Sequence, residues 1–278
     1  MTTIAEALRS ARAQFEPVSD SASLDAHVLL AAALGVERAH LLGFPEQALT
    51  DEQARRFGAW VTRHAAGEPV AYLLGRRGFY DRELLVTPDV LIPRPETELL
   101  LERALEFAAD TPGLTAVDVG TGSGALAVTF AAHMPGATVY AVDISPAALA
   151  VARRNAEQNG VAERVTFLHG DLLQPLIERG VRVDLIMANL PYIASDEAAR
   201  LDLSRYEPML ALDGGPDGLD LVRRLLALLP DVANPGALVL LEIGADQGAA
   251  TLALTGGRGT LHQDYAGLDR IVELVVGD

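Results

Sequence analysis

Apolar positions recur every three or four residues over the first part of the chain. Ile4, Leu8 and Ala11 mark one stripe, and Leu24, Val28, Ala31 and Ala32 mark another in "SLDAHVLLAAALG", where Gly35 supplies a stop. Thr50 opens "TDEQARRFGAWVTRHAAGEP" with Gln53 three residues on, a capping-box pattern, and Gly67 and Pro69 close it. This spacing predicts helices across residues 1–76, packed on Phe57 and Trp60. No charged or polar cluster there suggests chemistry, so residues 1–76 read as a helical domain that docks or orients a substrate.

Two short β-like runs flank Asp81-Arg82 in "GFYDRELLVTPDVLIPRPETELL". Pro93 and Pro95 then stiffen the chain, and a helix begins near Glu96. Residues 77–94 thus read as a β-hairpin linker, and residues 95–278 as a second domain. From residue 115 the period changes. "TAVDVG", "ATVYAVD", "RVTFLHGD", "VDLIMAN" and "GALVLLEIG" are apolar runs without polar alternation, separated by helical segments such as "SGALAVTFAAHM", "SPAALAVARRNAEQNG" and "PDGLDLVRRLLALLP". Such runs predict strands covered on both faces, hence an α/β fold with a parallel sheet. "GTLHQDYAGLDRIVELVVGD" predicts two strands joined by a Gly-Leu-Asp turn, an antiparallel hairpin closing that sheet.

Composition narrows the function classes. The net charge of -16 argues against broad binding to a phosphate backbone, which needs clustered cations. With no cysteine, disulfides, zinc-thiolate sites and cysteine nucleophiles are excluded, and the six histidines show no metal-type or triad-type spacing. The N-terminus lacks the continuous apolar core of a signal peptide, and no apolar stretch approaches the ~20 residues that span a bilayer. The expectation is a soluble, cytoplasmic protein with no bound metal and no membrane partner.

"VDVGTGSGALAV" sets Gly120, Gly122 and Gly124 between a strand and a helix, where bare backbone and free N–H groups can receive a ligand. With Ala125 standing for the third glycine, the stretch also fits a dinucleotide fingerprint. Asp118, two residues before the loop, disfavours a pyrophosphate and favours a cation such as an amino-acid ammonium group. Asp143 closes the next strand, positioned to accept both ribose hydroxyls. A nucleoside with an amino-acid tail, such as S-adenosylmethionine, meets both conditions.

"VDLIMANLPYI" ends a buried strand in an amide, a proline and an aromatic ring. A planar NH2 group has its lone pair delocalised, and two acceptors for its protons would orient it and favour positive charge developing on it. The Asn189 side chain and the Leu190 carbonyl supply two acceptors. Pro191 fixes the turn, and Tyr192 can stack on a flat substrate group. The turn is built to grip an amide or amino nitrogen.

Taken with "GEPVAYLLGRRGFYDRELLVTPDVLIPRPETELL", "DVGTGSGALAV", "VDISPAALAVARRNAEQNG", "EPMLALDGGPDGLD", "EIGADQG" and "DYAGLDR", in that order, the chain resembles the peptide chain release factor N5-glutamine methyltransferases over nearly its whole length. The resemblance implies a seven-stranded, Rossmann-like, S-adenosylmethionine-dependent methyltransferase domain behind a small helical domain and a hairpin linker. It implies methyl transfer to the side-chain amide of the glutamine in a Gly-Gly-Gln loop of release factors, leaving S-adenosylhomocysteine.

On the matching positions, Gly120, Thr121, Gly122, Ser123, Gly124, Asp143, Asp171 and Leu172 would line the cofactor site. Asn189 would touch cofactor and substrate, with Leu190, Pro191 and Tyr192 completing the grip; Asn189, Pro191 and Tyr192 are the catalytic set. Arg94, Pro95, Glu96 and Thr97 would shape the pocket wall or serve as a hinge. Two positions depart from the family: Leu190 replaces a proline, and Leu172 stands where an aromatic is common. Asn-Leu-Pro-Tyr is also the form of rRNA adenine dimethyltransferases. Methylation of a ribosomal protein glutamine, N6-adenine methylation and a nucleotide-binding module without catalysis remain alternatives. The acidity counts against stable nucleic-acid binding.

Overall fold

Thr3 and Thr50 each accept a hydrogen bond from the backbone three residues on, while Glu6 and Gln53 reach back to their amides. These two capping boxes start the first and fourth helices of the computed structural model, which describes residues 2–277 apart from the side chains of residues 202 and 203. The chain forms two compact units, Met1–Gly75 and Arg76–Asp278.

The first unit is helical: α1 (Ile4–Phe15), α2 (Ala22–Leu34), α3 (Arg38–Gly43), α4 (Asp51–Ala65) and α5 (Val70–Leu74). Gly35 ends α2 in the left-handed conformation. Ile4, Phe15, Leu29, Leu30 and Phe57 form the core, with Trp60 half-buried against it and the Arg56 guanidinium 4.7 Å from the Trp60 ring centre. A polar pair that periodicity does not reveal sits beside it. Buried His64 contacts Asp25 through Nε2 at 3.3 Å and the Glu68 carbonyl through Nδ1 at 2.8 Å, and its ring meets Phe15 edge-on.

The second unit opens with β1 (Arg76–Phe79) and β2 (Arg82–Leu85), an antiparallel pair in which Phe79 faces Arg82. Its tight turn is therefore Tyr80-Asp81, one residue earlier than the polar pair Asp81-Arg82 suggests, and Tyr80 takes a φ of 55°. Helix α6 (Thr97–Ala109) follows. Then come β3 (Thr115–Val119), α7 (Ala125–His133), β4 (Thr138–Asp143), α8 (Pro146–Gln158), β5 (Val165–His169), α9 (Gln174–Ile177) and β6 (Val183–Ala188). The chain ends with α10 (Ser195–Ala198), α11 (Asp220–Val232), β7 (Ala233–Glu242), α12 (Gly248–Leu254), β8 (Thr260–Gln263) and β9 (Asp269–Val275).

The strands lie in the order β5-β4-β3-β6-β7-β9-β8, and β9 alone runs against its neighbours. The parallel sheet closed by an antiparallel hairpin is thus present. Successive residues of a strand face opposite sides. Ala116, Leu185 and Met187 pack with Leu100, Leu101 and Phe130, whereas Val117, Val119 and Ile186 pack with Leu225 and Leu229. That double cover is why these strands lack polar alternation. The order reverses between β3 and β6, which opens a crevice at their carboxyl ends, the usual ligand site of such sheets. Among the described residues, no helix is long and apolar enough to cross a membrane.

Candidate active site

The glycine loop leaves β3 and is pinned at once to the neighbouring strand. The amides of Gly120 and Thr121 both donate to the Val142 carbonyl, at 2.9 and 3.0 Å. Asp143 holds the loop from the other side: Oδ2 accepts from the Gly122 amide at 2.9 Å and Oδ1 from the Ser145 amide at 2.8 Å. Each oxygen keeps a lone pair free for a hydroxyl, so Asp143 both shapes the loop and presents acceptors to the cavity.

Asp118 is buried beneath the loop. Its Oδ2 accepts from the Thr121 hydroxyl at 2.6 Å and from the Ala127 amide in the first turn of α7 at 3.0 Å. Burial nevertheless pushes its carboxyl up to about 6, against those two hydrogen bonds and with help from the nearby Asp143 charge. Burial also raises Asp143, opposed by the Ser145 and Gly122 amides. Two carboxylates held above their ordinary range favour a ligand that brings positive charge.

A cavity of about 300 Å³ lies over these groups. Asp118, Gly120, Thr121, Gly122, Ser123 and Asp143 line it, and so do Asp171, Leu172, Asn189, Leu190 and Pro191 from the two other strand ends. Gly124 does not line it. It caps α7 with a φ of 82°, and a Cβ there would stand 3.1 Å from Ala152, so its bareness serves the packing of α7 on α8. Tyr192 is likewise absent from the lining. Leu172 is buried and takes a φ of 49°, uncommon for a branched side chain, which turns it into the wall where an aromatic would stack. Asp171 pairs with Arg224, a second lining residue.

The Asn-Leu-Pro-Tyr turn is held on three sides. Asn189 Nδ2 donates to the Thr97 hydroxyl at 2.9 Å. Gln247 Nε2 donates to the Tyr192 carbonyl at 2.8 Å, and the backbones of Ile193, Leu212 and Gly214 exchange bonds just beyond. Gly218 lies so close that any side chain there would collide with the Tyr192 carbonyl. The Tyr192 hydroxyl is raised by burial and by the Glu242 carboxylate.

Several contributors escape sequence reasoning. Glu207 accepts from the Ile92 amide at 3.1 Å and from Arg94 at 2.5 Å, fixing the proline-rich stretch from a distant loop. Fully buried Asn155 accepts from the Leu85 amide at 2.7 Å, and its Nδ2 donates to the carbonyls of Leu85 at 2.9 Å and Ser123 at 2.8 Å. The available signal is an asparagine on the apolar face of α8, in register with Ala148 and Ala152. Glu242 closes β7 as Asp143 closes β4, and the same strand-end reasoning applies to it.

A sheet with one reversed strand, a glycine loop after β3, an acidic residue closing β4 and a bare, carboxylate-lined cavity define an S-adenosylmethionine-dependent methyltransferase. Residues 6–75 match the PrmC N-terminal domain, and residues 116–207 match a methyltransferase domain. The release factor glutamine methyltransferase of Moorella thermoacetica is 47% identical over 253 residues, 89% of each chain. That of Bacillus subtilis is 40% identical over 283 residues, 98% of this chain and 97% of its own. The chain belongs to the release factor glutamine methyltransferase family. The catalytic domain of hMettl16, solved with a 3'UTR hairpin, shares the fold alone, with a TM-score of 0.53 at 15% identity over 82% of this chain and 83% of that one.

Proposed function

We propose that the protein methylates the N5 amide nitrogen of the glutamine in the Gly-Gly-Gln motif of peptide chain release factors. The observation that carries this reading is the Asn189 amide: its nitrogen is committed to Thr97, which leaves Oδ1 for an N–H donor in the cavity.

When bound, S-adenosylmethionine supplies a methyl group on a positively charged sulfur. The bare loop of Gly120 and Gly122 admits it, Asp143 offers acceptors to its ribose, and Asp118 supplies a carboxylate for its ammonium group. The residues present fit that molecule: Asp118 and Asp143 both line the cavity beside the bare loop, one carboxylate for the ammonium group and one for the ribose. Asn189 Oδ1 and the Leu190 carbonyl accept the two amide protons of the substrate and aim its nitrogen. Pro191 stiffens the turn, and Tyr192 meets the glutamine as it enters. The carbonyl acceptor survives the exchange of proline for Leu190, since it belongs to the backbone. Acceptors placed in this way favour positive charge growing on nitrogen, so no separate base is needed before attack.

Residues 1–76 dock the release factor, residues 77–94 link, and residues 95–278 carry the transfer, in the cytoplasm where release factors act. The acidic surface suits a protein substrate better than an exposed nucleic acid. Mass spectrometry of a release factor incubated with the protein and S-adenosylmethionine tests this. A gain of one methylene on the loop glutamine, lost when that glutamine is replaced, is the expected result; an unmodified loop overturns the reading.

A further inference from the structure

Three segments of the second unit line the cavity and are tied to one another in a closed circuit. Residues 92–97 give Pro93 and Arg94 to the wall, residues 189–193 give Asn189 and Leu190, and residues 207–214 give Pro208 and Leu210. The first segment is joined to the second by Asn189 Nδ2, which donates to the Thr97 hydroxyl at 2.9 Å. Backbone joins the second to the third. The Ile193 amide donates to the Leu212 carbonyl at 3.1 Å, and the Gly214 amide to the Ile193 carbonyl at 2.8 Å. A side chain closes the circuit: Glu207 Oε1 accepts from the Ile92 amide at 3.1 Å, and Oε2 from Arg94 Nη2 at 2.5 Å.

Glu207 is 2% exposed, and a carboxylate so buried is tolerable only when its oxygens are hydrogen-bonded. Both are, one to a backbone amide and one to a guanidinium. Loss of either partner would strand a buried charge, so the pair holds residues 92–94 to a narrow range of positions. The path runs on to the site. The Thr97 amide donates to the Arg94 carbonyl at 3.2 Å, and the Thr97 hydroxyl receives Asn189. The circuit also reaches the rim, since Leu210 lines the cavity and is still 58% exposed. Gly120, Gly122 and Asp143, which face the nucleoside, belong to none of its three segments.

We propose that these segments form a collar through which the glutamine side chain reaches Asn189, and that Glu207, by closing the collar, is a positioning residue for methyl transfer. This role rests on the acceptor function assigned to Asn189 above. Glu207 touches no reacting atom. It fixes Arg94, and through Arg94 the Thr97 hydroxyl that holds Asn189 Nδ2 and leaves Oδ1 for the incoming amide.

The test uses the full chain. Glu207→Gln keeps an acceptor for the Ile92 amide but loses the charge that holds Arg94, and Glu207→Ala loses both bonds. With a release factor as substrate and saturating S-adenosylmethionine, kcat should fall on the order of 10-fold in the first and 100-fold in the second. Binding of S-adenosylhomocysteine should keep its wild-type strength, which also shows that each variant folds. Combining Glu207→Gln with Thr97→Val should lower kcat no further than Thr97→Val alone, because both cut one path. Hydrogen exchange gives a readout without turnover. The Ile193 and Gly214 amides, neither bonded to Glu207, should exchange on the order of 10-fold faster in Glu207→Gln if the collar opens as a unit.

Wild-type kcat in Glu207→Ala, multiplying losses in the double variant, or unchanged exchange at Ile193 and Gly214 overturns the proposal. So does a loss of S-adenosylhomocysteine binding in step with kcat in both Glu207 variants. A wild type that leaves release factors unmodified sinks the functional reading instead, and the exchange measurement still decides the collar.

Discussion

Gly120 lies directly against Leu190: a Cβ built on Gly120 would stand 3.2 Å from Leu190 Cδ2. The first residue of the glycine loop and the second residue of the Asn-Leu-Pro-Tyr turn therefore share one wall of the cavity. A ligand held by the first segment and a group held by the second are neighbours by construction.

Gly120→Ala tests that wall. Its φ of 73° already disfavours a side chain, at about 1–3 kcal/mol, and the added methyl crowds Leu190. Urea unfolding should show a loss of that order, and calorimetry weaker binding of S-adenosylhomocysteine as Leu190 is pushed into the cavity. Unchanged affinity would mean that the loop does not approach the ligand.

Asn189→Ala removes the side-chain acceptor while leaving the backbone one. By analogy with the loss of a single transition-state donor, kcat should fall by about 2–4 kcal/mol in activation energy. Cofactor affinity should change much less. Rates of methyl incorporation, measured by mass spectrometry at saturating cofactor, would expose the error if the variant turned over normally.

Asp118 makes the ligand-free protein pH-sensitive. Its carboxyl is raised from 3.8 to about 6, so its contribution to stability is fully present below 3.8 and is lost as the pH climbs through about 6. A rise of roughly two units at 1.36 kcal/mol each amounts to about 3 kcal/mol. Asp118→Asn, whose oxygen still accepts from Thr121 and Ala127, should stabilise the ligand-free chain near neutrality by up to that amount and weaken S-adenosylhomocysteine binding. Urea unfolding on either side of pH 6, beside calorimetry, checks both signs; a variant no more stable than wild type refutes the first.

His64 works in the opposite sense in the helical unit. Burial alone would lower its pKa, but the bonds to Asp25 and the Glu68 carbonyl outweigh burial and raise it above 6.5. The stability it contributes is fully present below 6.5 and disappears as the pH rises through the raised value. Asp25, pulled below 3.8 by His64, Ser19 and Ser21 against burial, stays charged throughout. Protection of α4 amides from hydrogen exchange, corrected for intrinsic rate, should decline as the pH rises beyond 6.5. Asp25→Asn should abolish that decline; a persistent pH dependence would assign it to another group.

The legible parts of the fold are those written in periodicity and in strand ends. The capping box at Thr50, apolar runs such as 183–188, and the carboxylates at Asp118 and Asp143 each carry a local signal. What escapes is set by long-range partners. The Tyr80-Asp81 turn depends on the Phe79–Arg82 register, and local polarity points one residue further on. Helix α12 begins at Gly248 after Gln247 has turned to bond the Gly244 amide and Tyr192, and its seven residues show too little pattern to announce it. Gly124 looks like a ligand contact in the loop motif, yet its neighbour is Ala152, brought there by the packing of two helices. Thr97 stands more than a hundred residues before Glu207 and Glu242 in the chain, and no spacing rule reaches that far.

Asn155 grips Leu85 with both ends of its amide and Ser123 with one of them. A single side chain thereby couples the end of the small hairpin to the glycine bend. By reciprocity, whatever firms the bend when a ligand arrives must firm the hairpin by the same free energy, and a partner that steadies the hairpin must tighten the hold on that ligand. Order at the end of the hairpin and order at the glycine bend are therefore set together at that junction.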